Sequence, residues 1–358
     1  MAKRLILTIN PGSTSTKFAL FEEGNLIFEK NVRHLPEEIA SFEKIADQFR
    51  FRKDHIMNEL IERKIDTARI AAVVGRGGLV KPIESGVYRI NARLKEDLET
   101  GILGQHACNL GGLIADDIAS SLPNAAAFVV DPVVVDELQP VARISGHPEI
   151  ERKSIFHALN HKAVGRMYAF SIGRRYEEMN MIIVHMGGGV SVGAHQKGRV
   201  IDVNNALYGD GPFSPERSGG LPSGQLVDLC FDGRFTKAEL KTMITGKGGM
   251  IAYLGTNDFQ KVCIDADNGN EKAALIRDAA AYQVSKEIGA MAAVLHGNVD
   301  VIILTGGMAY QDSHVKKIES MVKFIASVYV HPGEGEINAL AFNGLLALDG
   351  KVDIKTYS

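Results

Sequence analysis

Two stretches of this chain share one pattern, and that repeat limits the possible folds more than any other feature of the sequence. Residues 4–33 read as a strand, a polar glycine loop, a strand, a Gly-Asn turn and a third strand. Residues 180–204 repeat this order with a triple-glycine loop and a Lys-Gly turn. Each stretch is typical of an antiparallel meander with a ligand-binding loop in its first bend. A second matching pair, 69–79 and 298–310, runs from an apolar strand into a Gly-Gly loop.

The repeat predicts two related α/β domains, each built on a mixed five-stranded sheet. Apolar residues at three-to-four spacing predict a long helix over 271–296. A last helix over 336–350 is expected to pack back on the first half, and the glycine loops of the two halves are expected to face each other across a cleft. The predicted domains are 1–145 with 337–358, the N-terminal domain, and 146–336, the C-terminal domain.

Composition excludes several classes of protein. A chain of 358 residues with 45% apolar and 23% charged residues is ordinary for a globular protein of two domains. The net charge of −3 argues against non-specific nucleic-acid binding, and the longest apolar runs are strand-sized, so no membrane span is expected. The apolar run at the N-terminus is too short for a signal peptide. Three cysteines without metal or redox spacing favour a reducing cytoplasm.

The loop "NPGSTSTK" is the first candidate for binding an anion. Its amides and hydroxyls, together with one cation, suit a group with several oxygens. It differs from a P-loop because its lysine does not follow glycine and because a strand, rather than a helix, follows it. The alternative is a polar hairpin loop. The candidate phosphate-binding residues are Asn10, Ser13, Ser15 and Lys17.

Charged residues at two apparent strand ends are candidates for catalysis. Arg76 stands among glycines in "VVGRGGL", where it can reach a ligand, although a surface arginine beside a turn is equally consistent. Asp131 ends the strand in "FVVDPVVVDEL", a position suited to Mg²⁺, directly or through water. The alternative for Asp131 is an acid that accepts hydrogen bonds from turn amides.

His157 and His161 are four residues apart in "SIFHALNHKAV" and would share a helix face. A zinc pair needs a third ligand, which the sequence does not show. We therefore interpret His157 as a hydrogen-bond donor to a reacting oxygen, with a buried structural histidine as the alternative.

The second half adds glycine loops, an arginine and acids. Triple glycine permits close approach of backbone amides to phosphates, and a Gly-Gly pair before a helix suits an adenosine or a phosphate. Arg217 lies in the long loop "SPERSGGLPSG". Glu334 and Glu336 precede or begin the last helix and are candidates for sharing a cation. The glycines concerned are Gly187, Gly188, Gly189, Gly306 and Gly307. Together these features indicate phosphoryl transfer, which depends on positioning and charge neutralisation.

The motifs resemble those of the acetate kinases. "NPGSTSTKF" is similar to their first phosphate motif, "VHMGGG" to their second and "LTGGMAYQDSHV" to their adenosine motif. "FVVDPVV", "IFHALNHK" and "PERSGG" are similar to the segments with their catalytic Asp, His and Arg. The resemblance implies the duplicated actin-like ATPase fold, which is ribonuclease-H-like, of the actin, hexokinase and acetate kinase superfamily. It departs at Val73, where the family has arginine, and at Gly188, where it has asparagine.

Within that family the combination of motifs most resembles the butyrate kinases. The resemblance implies reversible, Mg²⁺-dependent transfer from ATP to butanoate. Arg76 and Arg217 would neutralise charge, His157 would donate a hydrogen bond to the moving phosphoryl group, and Asp131 and Glu336 would organise Mg²⁺. On this interpretation the first domain binds the acid and carries the catalytic aspartate, and the second binds the nucleotide.

The acid pocket is assigned by the same resemblance. Gly75 stands where acetate kinases carry valine, and its missing side chain would leave room for a longer acid; Phe156 is a candidate wall. The alternatives are a kinase for acetate, propanoate or branched acids, an actin-like nucleotide-switch protein, and, more remotely, a zinc enzyme. The family suggests a homo-oligomer of at least two chains, with small molecules as the other partners.

Overall fold

The computed structural model describes residues 3–358, so the first two residues of the N-terminal segment considered above lie outside the described part. The chain separates into two compact units. The first comprises the described residues up to Val135 together with Gly335–Ser358, and the second comprises Asp136–Glu334. These limits differ from the predicted ones by about ten residues at the first boundary, and they place Glu336 in the first unit. The roles predicted for each domain stay predictions.

The first unit is a seven-stranded sheet flanked by helices. Its strands are β1 Leu5–Pro11, β2 Ser15–Glu22, β3 Asn25–Arg33, β4 Ile70–Arg76, β5 Val87–Arg89, β6 Ala126–Val130 and β12 Ile354–Thr356. Its helices are α1 Pro36–Ala40, α2 Phe49–Glu62, α3 Ala92–Thr100, α4 Asn109–Ser120 and α12 Glu336–Leu348. The strand order is β12-β5-β6-β4-β1-β2-β3.

The second unit is a five-stranded sheet with more helices. Its strands are β7 Asn180–Met186, β8 Val190–Gln196, β9 Arg199–Val203, β10 Val301–Gly306 and β11 Val328–Pro332, in the order β11-β10-β7-β8-β9. Its helices are α5 Ala158–Ser171, α6 Ser223–Phe231, α7 Lys237–Thr245, α8 Gly249–Leu254, α9 Phe259–Asp267, α10 Glu271–Val294 and α11 Asp312–Val322.

The two sheets share one topology, as the sequence repeat predicts. In each, three consecutive strands form an antiparallel meander. A later strand then pairs in parallel with the first strand of the meander, and one more strand pairs in parallel with that one. The first unit extends this common set of five with β5 and β12. Each of these two strands has only three residues, which is too few to show an alternating apolar pattern, so the sequence did not predict them.

Burial explains why the central strands form where they do. Every residue of β1, β7 and β10 is buried, as expected for strands covered on both faces. In the first unit, α12 packs on β1 and β4, which confirms the predicted return of the last helix. In the second, α10 contributes Ile276, Val284 and Ile288 to a core shared with β7, β8 and β10. No helix among the described residues is both long enough and apolar enough to cross a membrane.

Candidate active site

In the first unit, predicted site residues lie at one edge of the sheet. β1, β4 and β6 are neighbouring parallel strands, with Ile9 opposite Gly75 and Arg76 opposite Val130. Asn10 and Arg76 are therefore at the carboxyl ends of their strands, and Asp131 directly follows β6. Ligands of α/β sheets bind at the carboxyl ends of parallel strands. The topology thus brings three predicted residues to the edge where a ligand is expected.

A carboxylate from the last helix joins this edge. Glu336 is 3% exposed, and its Oε2 accepts a hydrogen bond of 2.6 Å from Asn10 Nδ2. Arg76 Nη1 lies 3.1 Å from the same oxygen and 3.3 Å from Asn10 Oδ1. Glu336 begins α12, where the helix dipole favours a negative charge. Glu334, the alternative from sequence, is exposed and belongs to the second unit.

Asp131 is held in an unusual backbone conformation. Its φ is 38°, in the region that residues other than glycine rarely adopt, and its side chain is buried. Oδ1 accepts hydrogen bonds from Ser85 Oγ at 2.6 Å and from the amide of Gly86 at 2.8 Å. The turn interaction that the sequence left as the alternative is therefore present at this oxygen. Backbone strain of this kind concentrates at functional sites, which agrees with the catalytic prediction without testing it.

The predicted phosphate loop lies over a buried arginine that sequence analysis missed. Arg52 of α2 is fully buried, and its guanidinium donates to the carbonyl oxygens of Gly12, Ser13 and Ser15 at 2.8, 3.2 and 2.7 Å. Nε and Nη2 also donate to Gln48. Burial lowers the pKa of Arg52 to about 10, so it stays charged at neutral pH. This cation therefore holds the loop's carbonyls inward, while the Ser13 side chain is exposed.

Lys17 is oriented by an ion pair. It lies on β2 opposite Asn10 of β1, and its Nζ is 3.0 Å from Glu29 Oε1 of β3. Both side chains are more than a third exposed, so the pair contributes little to stability. The ammonium group of Lys17 has three N–H donors, so the phosphate contact predicted for it can form beside this pair or in place of it.

The prediction that Gly75 opens the acid pocket is wrong. A Cβ at Gly75 would lie 2.2 Å from the carbonyl oxygen of Gly111 and 2.9 Å from the amide nitrogen of Gly112. Both belong to α4, which packs directly on β4. Gly75 therefore allows a helix backbone to approach a strand, and the space beside it is filled by protein.

This close packing predicts a stability effect for Gly75→Ala. The added methyl group meets backbone, which cannot rotate away, so we expect the free energy of unfolding to fall by about 1–3 kcal/mol. Gly146→Ala is the matched control, because a Cβ there has no neighbour within 4 Å. Urea unfolding measures both variants. A Gly75→Ala protein as stable as the control would contradict this account of β4 and α4.

In the second unit, the triple-glycine loop and the Arg217 loop are joined. Gly187, Gly188 and Gly189 connect β7 to β8. Ser214 Oγ donates to the carbonyl of Gly188 at 2.6 Å and accepts from the amide of Arg217 at 3.0 Å. Arg217 Nη1 donates to the carbonyl of Ala206 at 2.7 Å.

Gly189 supplies the space that Arg217 occupies. A Cβ at Gly189 would lie only 2.1 Å from Arg217 Nη1. The absence of a side chain therefore lets the guanidinium lie against the glycine loop.

His157 precedes α5 and stacks on a second histidine. The ring centroids of His157 and His185 are 3.8 Å apart with nearly parallel planes, and His157 Nδ1 lies 2.9 Å from Ser191 Oγ. His185 comes from "VHMGGG", and its Nδ1 lies 2.9 Å from Asn160 Oδ1. Phe156 is buried and meets the His161 ring edge-on at 5.2 Å, so the acyl-pocket role given to it stays a prediction.

An open pocket of about 750 Å³ lies beside the glycine loops of the second unit. Gly187, Gly188 and Gly307, which the sequence assigns to nucleotide binding, line it, and that role stays a prediction. Gly306 has φ 89°, and a Cβ there would lie 2.3 Å from the carbonyl oxygen of Met186, so it allows close strand packing. Tyr310 and Gln311, from the segment similar to the adenosine motif, also line it, whereas sequence analysis missed Asn257 and Phe259. Asn257 and Phe259 lie in a stretch without a glycine-rich or charged pattern.

A buried histidine beneath this pocket predicts a pH effect on stability. His314 of α11 is fully buried, and its ring meets Phe259 edge-on at 4.8 Å. Burial and then the charge of Arg277 lower the pKa of His314 to about 4. The unfolded chain therefore takes up a proton below its ordinary pKa, near 6.5, that the folded chain does not, and stability falls as pH drops from 6.5 towards 4.

We expect this one group to remove about 2 kcal/mol of stability between pH 7 and pH 5. His314→Leu should reduce the pH dependence of the unfolding free energy by that amount, whereas the exposed His296→Asn should not. Denaturant unfolding at both pH values measures the difference. An unchanged pH dependence in His314→Leu would show that this ring is protonated normally.

The described residues contain no group of three or more His, Cys, Asp or Glu side chains arranged to hold a metal ion. Within residues 3–358, His161 contacts Ser191 and His195. The described residues therefore show no site in which protein side chains alone would hold a metal ion.

Comparison with known proteins decides the family. Residues 147–331 match the model of the acetokinase family. The chain is 55% identical to butyrate kinase 1 of Clostridium acetobutylicum, over 98% of this chain and 99% of that protein. The chain belongs to the acetokinase family. A probable butyrate kinase of Clostridium botulinum is 52% identical over the same shares of the two chains.

Solved structures agree with this acetokinase fold. The acetate kinase of Porphyromonas gingivalis matches with a TM-score of 0.78 at 21% identity, over 96% of this chain and all of that chain. A propionate kinase from Francisella tularensis matches with a TM-score of 0.74 at 18% identity, over 95% and 98%. The resemblance and the fold class predicted from the motifs are thereby confirmed.

Proposed function

We propose that this acetokinase transfers the γ-phosphoryl group of ATP to butanoate, reversibly, and forms ADP and butanoyl phosphate. The observation that carries this proposal is the 55% identity to a butyrate kinase over 98% of the chain. That similarity spans every loop discussed above. The acetate kinase and the propionate kinase compared above are less than 25% identical and support the fold alone.

The chemistry needs no general base. A butanoate carboxylate is ionised at neutral pH, as side-chain carboxyls are. One of its oxygens attacks the γ-phosphorus, an O–P bond forms, and the bond from phosphorus to the β,γ-bridging oxygen breaks. The electron pair leaves with ADP and no proton has to move. The protein's task is therefore to align the reactants and to stabilise charge on the moving group.

In the first unit, Arg76 is the residue to which we assign charge neutralisation. Glu336 and Asn10 support its position, because both contact its guanidinium near the carboxyl edge of the sheet. Ser13, Ser15 and Lys17 would hold the γ-phosphate side, with Arg52 maintaining the loop's conformation.

In the second unit, we assign nucleotide binding to the open pocket and to the glycine loop beside it. Arg217 would stabilise the transferred group, and its position against Gly189 supports this role. His157 would donate a hydrogen bond to the same group. Gly306 and Gly307 begin the segment that we assign to adenosine.

Mg²⁺ fits the first unit as an ion that ATP brings with it. Proteins usually hold Mg²⁺ through one or two carboxylates together with phosphates and waters. Asp131 and Glu336 are buried carboxylates of this kind, and no larger cluster exists among the described residues. These two residues would hold the ion, which would neutralise phosphate charge.

A comparison of acids with two to five carbons tests the substrate. We expect butanoate to give the highest kcat/KM, with acetate lower by about 15-fold, because two buried methylenes contribute about 1.6 kcal/mol. Trapping of the acyl phosphate as a hydroxamate, with and without Mg²⁺, measures the product. A higher value for acetate, propanoate or a branched acid would reassign the substrate. ATP turnover that ignores every acid would favour an actin-like nucleotide switch.

Assembly and location are part of the same proposal. We assign the chain to a homo-oligomer of at least two copies in the cytoplasm. Light scattering on the purified protein tests the first assignment, and fractionation of the source cells tests the second.

A further inference from the structure

A continuous chain of hydrogen bonds runs inward from His157 through the core of the second unit. His157 Nδ1 lies 2.9 Å from Ser191 Oγ, which lies 2.9 Å from His161 Nε2. His161 Nδ1 lies 3.1 Å from His195 Nε2, and His195 Nδ1 lies 2.6 Å from Tyr176 Oη. No step of the proposed reaction uses the four inner residues.

The two inner histidines are neutral. Both are completely buried, and burial lowers the pKa of each well below its usual value. A neutral imidazole has one N–H donor and one acceptor nitrogen. Each hydrogen bond in this series then contains one proton, which lies on one of the two partners. The tautomer of one ring therefore determines the tautomer of the next.

The hydrogen bonds between Tyr176 and His157 can all point in one of two directions. In the first, Tyr176 O–H donates to His195, His195 to His161 through Nε2–H, and His161 to Ser191. Ser191 then donates to His157 Nδ1, which leaves the His157 proton on Nε2. In the reverse direction the proton of each hydrogen bond lies on the other partner, and His157 carries its proton on Nδ1 instead of Nε2.

Charges at the inner end favour the first direction. The Arg166 guanidinium carbon lies 5.7 Å from the centre of the Tyr176 ring, and Lys162 Nζ lies 5.9 Å from it. Lys162 also pairs with Glu137 at 2.7 Å, which offsets part of its charge. Cations near a phenol make it a better donor, and they favour an arrangement whose protons point away from them.

The stacked neighbour, His185, is oriented differently. Asn160 Nδ2 donates to the carbonyl of Glu334, so its Oδ1 faces His185 as an acceptor. His185 therefore carries its proton on Nδ1, and its Nε2 lies on the side of Gly187. Of the two stacked rings, His157 is the one whose neutral form can donate through Nε2.

We propose that Ser191, His161, His195 and Tyr176 are positioning residues that hold the His157 proton on Nε2, where it donates to the transferred phosphoryl group. This inference rests on the proposed function only for the identity of the group that His157 contacts. The competing interpretation is that these buried side chains satisfy one another's hydrogen bonds in either direction.

Nitrogen-15 spectra of histidine-labelled protein test the proposal without substrate. Long-range proton–nitrogen correlations identify which ring nitrogen carries the proton, and single His→Gln variants assign the signals. We expect His157, His161 and His195 to carry their protons on Nε2. Tyr176→Phe removes the first donor and should mix the tautomers of His195 and, three hydrogen bonds away, of His157. Ser191→Ala removes the link between His157 and the inner histidines, so it should mix the tautomers of His157, and it serves if Tyr176→Phe folds poorly.

Kinetics provide the second readout. Outer partners that orient a metal-bound histidine typically contribute about 10–100-fold, and by analogy we expect Tyr176→Phe to lower kcat about tenfold with KM for ATP nearly unchanged. Tyr168→Phe is the matched control, because Tyr168 lies on α5 against Tyr329 and is not part of the chain of hydrogen bonds. A His157 proton on Nδ1 in the unmodified protein would overturn the proposal, as would a His157 signal unchanged in both variants. A protein with the expected tautomers but no acid kinase activity would overturn the proposed function. The assignment of the four positioning residues to the His157 tautomer would then still stand.

Discussion

Replacing Arg217 by alanine is expected to lower kcat for acyl phosphate formation by about 10³-fold or more, with KM for ATP changed only a few-fold. An arginine that stabilises a transferred phosphoryl group contributes about 10³–10⁵ in rate. A contact made mainly in the transition state affects kcat rather than KM. Steady-state kinetics with ATP and butanoate, at saturating concentrations of each, measure the two constants.

Two further variants separate charge from position. Arg217→Lys keeps the charge but loses the planar fork, so most of the loss should remain. Arg234→Ala is the control: Arg234 is an exposed arginine of the same unit, paired with Asp232, and its removal should leave kcat unchanged. A loss below tenfold in Arg217→Ala, or an equal rise in KM, would remove Arg217 from the catalytic group.

Replacing Arg52 by methionine is expected to weaken both ATP binding and the fold. Methionine keeps the buried apolar volume but removes the guanidinium hydrogen bonds to the carbonyl oxygens of Gly12, Ser13 and Ser15, of which Ser15 keeps the amide of Gly12 as a donor. Hydrogen bonds to a charged group contribute about 1.5–3 kcal/mol, so we expect the free energy of unfolding to fall by about 3 kcal/mol. The loosened loop should raise KM for ATP more than it lowers kcat. Urea unfolding and initial-rate kinetics measure these effects.

Arg50→Met is the matched control for this experiment, because Arg50 lies on the same helix and is exposed. Arg52→Lys retains a cation that reaches fewer carbonyls, and it should give intermediate values. If Arg52→Met left both the unfolding free energy and KM for ATP at the values of the control, the buried arginine would not order the phosphate loop.

Much of the candidate site was predictable because its signals are local. Asn10, Arg76 and Asp131 each stand where an apolar run ends, and the structure places them at neighbouring strand ends. Glycine loops after strands are visible for the same reason. Gly75 shows the limit of such reasoning, because a missing side chain does not reveal whether the space beside it holds a ligand or another backbone. There it holds α4.

The sequence alone determined the duplicated architecture, the positions of the predicted ligand loops and the resemblance to acid kinases. All of these depend on patterns within about thirty residues. Only the tertiary structure decided that Arg52 lies beneath the predicted phosphate loop, that Glu336 meets Asn10 across 326 positions, and that two histidines and a tyrosine align behind one serine. Such contacts depend on the crossing of separate strands and helices. No local pattern records that crossing, because it is decided by how the apolar faces of distant elements pack together.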